Sequence, residues 1–142
     1  MATSIKRIEF KKNYPEYSQG LFIVQEEKRL PRGQDEINVG QRLSEELLTI
    51  PREERKANVL SLLSAMVAPY MVVTLSHIDI LFTPYLQLDV LGTLVSLCRN
   101  RKICIAWPGG IYWNKVHYAE PNEPEYYEGD LNRFQDTYVI DE

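Results

Sequence analysis

Residues 71–82 read MVVTLSHIDILF. An apolar run closes on Ser76, His77 and Asp79, as a buried central strand does when it delivers polar groups to the edge of a sheet. A strand covered on both faces is apolar throughout instead of alternating, so the run predicts a mostly parallel sheet with flanking helices. Its polar exit admits three readings: an active site, the remains of one, or an ordinary strand end.

Upstream, PREERKANVLSLLSAMVAP predicts a helix that opens at Pro51, carries Glu53 and Glu54 in its positive first turn, and stops at Pro69. Val59, Leu60, Leu63, Met66 and Val67 form its expected buried stripe. Before it, Leu43, Leu47, Leu48 and Ile50 recur at helical spacing. Downstream, LDVLGTLVSLCR places Leu88, Leu91, Leu94, Val95 and Cys98 on one helical face, with Arg99, Arg101 and Lys102 at the end that favours positive charge. KICIAW, 102–107, then reads as a second buried strand. Strand, helix, strand in this order indicates one α/β domain spanning 1–142.

Further out, Ile5–Phe10, Gly20–Gln25, Ile37–Val39 and 137–140 (TYVI) read as short strands. Residues 26–36, EEKRLPRGQDE, read as a charged loop, and 117–136 as a tail segment rich in proline, tyrosine and acid. With 20 acidic and 16 basic residues the net charge is −4, so any attraction for nucleic acid is local, through IKRIEFKK or CRNRK. No apolar run reaches the roughly 18 to 20 residues of a membrane span and no signal peptide is visible, which predicts a cytoplasmic protein without membrane contact. In such a compartment Cys98 and Cys104 are expected as packed thiols.

The motifs exclude more chemistry than they support. A phosphate-binding loop needs backbone amides freed by glycine, a lysine and a hydroxyl for magnesium, yet no G-x-x-x-x-G-K-[ST] occurs: Gly33 stands alone, and Gly109-Gly110 is not followed by Lys and Ser or Thr. His77 and Asp79 have the chemistry of a base and a metal-holding acid, and equally that of local hydrogen-bonding groups. No zinc spacing, calcium loop or nucleophile elbow is present, so neither a metal nor a cofactor is expected. Arg99 and Arg101, followed by a strand ending in Trp107, suit either phosphate contact or dipole and salt-bridge chemistry on a wet surface.

INVGQRLSEELLTIP, IDILFTPYLQLDVL, SLCRNRKICIAWPGG and YAEPNEPEY, taken in order from about Ile37 to Ile140, resemble the BrxF family, small P-loop proteins of BREX phage-resistance systems. The resemblance implies a P-loop NTPase-like α/β fold with an N-terminal Walker A loop and an apolar strand ending in a Walker B acid. This chain departs from both. FIVQEEKRLPRGQDEINV stands where the phosphate loop and its helix belong and is too short for them. In VVTLSHIDI, Ser76 replaces the acid, while Asp79 matches the acidic position three residues later. Asn122 and Glu123 replace an expected glycine and histidine.

Hydrolysis rests on loop, lysine and acid together, so the resemblance implies a degenerate, non-catalytic member. What it preserves lies at a sheet edge and in the tail, and implies binding to larger protein subunits of a phage-defence system through Arg99, Arg101, Trp107, Tyr118, Glu120, Pro121, Glu125 and Tyr126. Three other readings stay open: a regulator that completes a partner's ATPase site with Arg99 or Arg101, a nucleic-acid-binding accessory using IKRIEFKK and CRNRK, and a phage-encoded mimic that inhibits defence.

Overall fold

A computed structural model describes residues 2–6, 17–25, 30, 35–112 and 114–141, with the backbone alone at 2–6 and 141. Six strands form one sheet in which every pairing is parallel: β1 (Ala2–Lys6), β2 (Gly20–Val24), β3 (Glu36–Asn38), β4 (Val72–Ser76), β5 (Lys102–Ala106) and β9 (Thr137–Asp141), in spatial order β1-β9-β2-β5-β4-β3. The central strands are those whose sequences are apolar on both faces. GLFIV of β2 is buried at every position, and VVTLS of β4 and KICIA of β5 nearly so.

Three α-helices are described. In α1 (Val39–Leu48) the chain leaves β3 because Asn38 caps the helix, its side chain accepting the Gln41 amide at 3.0 Å. Pro51 precedes α2 (Arg52–Val67) as its cap, one position earlier than a first-turn proline, and leaves Glu53 and Glu54 in the first turn. Asp89 caps α3 (Val90–Ser96). Leu43 and Leu47 of α1, Val59, Leu63, Met66 and Val67 of α2, and Leu91 and Leu94 of α3 join one core with Leu21, Ile23, Val73, Leu75, Ile103 and Ile105. These helices thus cover one face of the sheet. On the other face Phe22, Val24, Cys104 and Ile140 pack with Leu30, Tyr17 and Tyr138.

Several sequence boundaries move. The first strand is Ala2–Lys6, not Ile5–Phe10, because its register pairs Ala2 with Thr137 and Ile5 with Ile140; residues 7–10 lie outside the described residues. Glu36 belongs to β3 and not to the charged loop, most of which also lies outside them. The expected helical stripes were too wide: Leu48 is 75% exposed and Leu60 45%.

The larger correction concerns the tail. A second sheet, antiparallel, is built from β6 (Gly110–Tyr112), β7 (Lys115–Tyr118) and β8 (Tyr127–Asp130), so residues 117–136 are partly strand and not an irregular segment. It follows β5 directly, and Val116 and Leu131 anchor it in the main core. Gly109 has to be glycine, because a β-carbon there would run into the His117 carbonyl.

Thr74, in the middle of β4, is 1% exposed and its hydroxyl finds no partner among the described residues. Thr74→Val keeps the shape and removes an unsatisfied group. The variant is expected to unfold at the same or higher temperature, with a gain of about 0 to 2 kcal/mol in thermal denaturation.

Candidate functional site

At the carboxyl end of β4 the side chains of Ser76, His77 and Asp79 part company. Ser76 is fully buried and its hydroxyl donates to Glu36 Oε2 at 3.0 Å, with the Ile37 carbonyl at 3.4 Å. His77 turns the chain through a left-handed conformation (φ 55°, ψ 51°), and its Nδ1 lies 3.1 Å from Ser76 Oγ. Gly40 leaves room for this turn: a β-carbon there would press on His77. Asp79 opens a short 3-10 helix, Ile78–Phe82, and accepts the Tyr118 hydroxyl at 3.3 Å. The serine therefore faces β3 while Asp79 faces the tail. No group of three or more His, Cys, Asp and Glu side chains among the described residues is placed to hold a metal ion.

What the strand end gathers is aromatic. Trp107, 1% exposed just past β5, donates its indole N–H to the His117 carbonyl at 2.9 Å. Phe82 meets Trp107 edge-on, with centroids 5.4 Å apart, and lies flat on Tyr118 at 4.0 Å and 9°. Tyr127 donates to Asp89 at 2.7 Å and accepts the Leu91 amide at 2.9 Å. Burial and then that bond to Asp89 hold its hydroxyl above the ordinary tyrosine range. This ring locks β8 onto the start of α3, and so the tail packs back on its own domain.

Between residues 79–90 and the tail runs an open groove of about 160 Å³, lined by Phe82, Thr83, Pro84, Glu125, Tyr126 and Tyr127 among others, which continues past Asp79 and Tyr118. Tyr126 is half-buried, with its hydroxyl 2.9 Å from Glu128 Oε2. Glu120 and Pro121 stand exposed on the turn before β8, where Glu123 accepts the Glu120 amide at 2.9 Å. Of the residues singled out in the sequence, Asp79, Trp107, Tyr118, Glu125 and Tyr126 come together here. Tyr127, whose ring with Tyr118 and Tyr126 suits an interface, belongs with them, as do Phe82, Pro84 and Asp89, which were missed; the signal for the small sheet was the close succession of GIY and KVHY.

Arg99 and Arg101 are elsewhere. They precede β5 whereas Trp107 follows it, and a five-residue strand sets them roughly 17 Å apart along its axis, at opposite edges of the sheet. The expected grouping of those cations with that aromatic is thus corrected. Arg99 is exposed, but the Arg101 guanidinium donates to the Tyr70 carbonyl at 3.2 Å and the Leu97 carbonyl at 3.1 Å, closing the turn after α3. Cys98 and Cys104 are buried thiols, and burial pushes Cys98 up to about 12, so it is no nucleophile near neutral pH.

The fold and site thus define an α/β protein with a parallel six-stranded sheet and an aromatic groove at its carboxyl edge. Set against protein-family models, curated proteins and solved structures, the chain matches none. No helix among the described residues is long and apolar enough to cross a membrane.

Proposed function

We propose that the chain is a degenerate P-loop-like domain, related to the BrxF proteins of BREX systems, that works without catalysis as an adaptor or subunit in bacterial phage defence. Its partners in this reading are larger proteins of the same system, docked at the groove and tail. The observation that carries the reading is the relation of β2 to β4. A P-loop site needs the strand before its phosphate loop and the strand bearing its acid to be parallel, with carboxyl ends at one edge. β2 and β4 meet that requirement with only β5 between them.

Among the described residues at that edge the strand-end acid is missing. The β4 strand ends in a buried serine tied to Glu36. From β2 the chain must cross β5 and β4 to reach β3 using residues 25–35, whose lone glycine is Gly33. The sequence of this connection carries no G-x-x-x-x-G-K-[ST]. The regulator that lends an arginine to a partner is less well supported, because Arg101 is engaged by backbone carbonyls.

The test is made in a bacterium carrying the phage-resistance system. Tagged chain should co-purify with the large subunits, and Tyr126→Ala should weaken that complex by about 1 to 3 kcal/mol while the melting temperature holds. Protection measured by plaque counts should fall in parallel. Overexpression that abolishes protection would instead identify an inhibitor, and a complex indifferent to Tyr126 would remove the docking surface.

A further inference from the structure

We propose that the groove beside Tyr118 receives an arginine side chain from an extended segment of a partner protein, an assignment that rests on the docking reading above. Its floor is aromatic: Tyr118 is half-buried, with Phe82 stacked on it at 4.0 Å. Its lining is acidic, with Asp79 and Glu125, and no described residue lining the groove is cationic. The Tyr118 hydroxyl is held above the ordinary tyrosine range by partial burial and then by Asp79, Glu125 and Glu123. By contrast Glu128, further along β8, is paired with Lys115 at 3.4 Å.

Guanidinium fits this combination better than the alternatives. It is flat and weakly hydrated, so it stacks on an aromatic ring, and its fork of donors can bond two carboxylates such as Asp79 and Glu125 that line the same groove. An ammonium is a compact, strongly hydrated charge that forgoes most of the stacking. Phosphate, and with it nucleic acid, is repelled by the same carboxylates.

The experiment uses the intact chain and short fluorescent peptides identical except at two positions filled with arginine, lysine or citrulline, followed by anisotropy. The arginine peptide should bind on the order of tenfold more tightly than the citrulline peptide and several-fold more tightly than the lysine one. Asp79→Asn with Glu125→Gln should cost about tenfold or more, as should Tyr118→Leu, whereas Glu46→Gln, an exposed acid on α1, should change nothing. A melting curve for each variant separates lost binding from lost fold. Equal binding of arginine and citrulline, lysine binding as tightly as arginine, equal loss with Glu46→Gln, or no binding at millimolar peptide would overturn the proposal. If the arginine peptide fails while Tyr126→Ala still breaks the partner complex, only the arginine assignment falls. If the complex ignores Tyr126 as well, the docking reading falls with it.

Discussion

Trp107→Ala is expected to destabilise the chain by about 3 to 5 kcal/mol, the range for emptying a buried aromatic position. Three losses coincide there. The indole is 1% exposed in the main core, its N–H satisfies the His117 carbonyl, and its ring forms the edge-on contact with Phe82. Since Trp107 is the first residue after β5 and its bond reaches β7, the variant should also loosen the small sheet from the large one. Trp107→Phe retains most of the apolar volume but orphans the carbonyl, and should cost less, about 1 to 3 kcal/mol. Urea unfolding of the three proteins checks both values. Equal stability of wild type and Trp107→Ala would mean that the aromatic cluster does not join the sheets.

The second large effect is expected where a catalytic acid would be restored. Ser76→Asp puts a carboxylate at a fully buried position whose side-chain oxygen sits 3.0 Å from Glu36. Burial and the like charge both oppose ionisation, so the new group's folded pKa lies above its unfolded value of about 3.9. The sign follows from linkage: such a group does no electrostatic harm below the unfolded pKa, and stability is lost as pH rises through the folded one. Near pH 7 the loss should be on the order of 3 kcal/mol or more, and it should shrink markedly at pH 4. Glu36→Gln in the same chain should recover part of it. Full stability at neutral pH together with magnesium binding would instead mean that the site keeps a vestigial metal cradle.

The strands of the large sheet were legible in proportion to their burial. GLFIV, VVTLS and KICIA are apolar because both faces are covered, and a two-sided apolar run can be read without knowing what covers it. The helices were legible from periodicity, but the width of a stripe was not: Leu48 and Leu60 sit at its margins, and neighbouring elements alone decide whether a marginal position is covered. The small sheet was hidden because its strands are three or four residues long and half-exposed, so that Tyr, His, Glu and Lys occupy them. Phe82 and Tyr118 could not be paired from sequence, since their contact exists only once the chain after β4 meets the end of β7. The separation of Arg99 and Arg101 from Trp107 was within reach, because groups at the two ends of one strand lie at opposite edges of its sheet.

Calorimetric titration of the purified chain with Mg-ATP separates a degenerate nucleotide site from a working one. The groups that hold the β- and γ-phosphates and their magnesium are a glycine-rich loop, its lysine and hydroxyl, and a strand-end acid. The sequence has no such loop, and the strand ends in Ser76. Only the heat of dilution is expected at every nucleotide concentration. A one-to-one isotherm with micromolar affinity would contradict it and make the chain a nucleotide-binding protein.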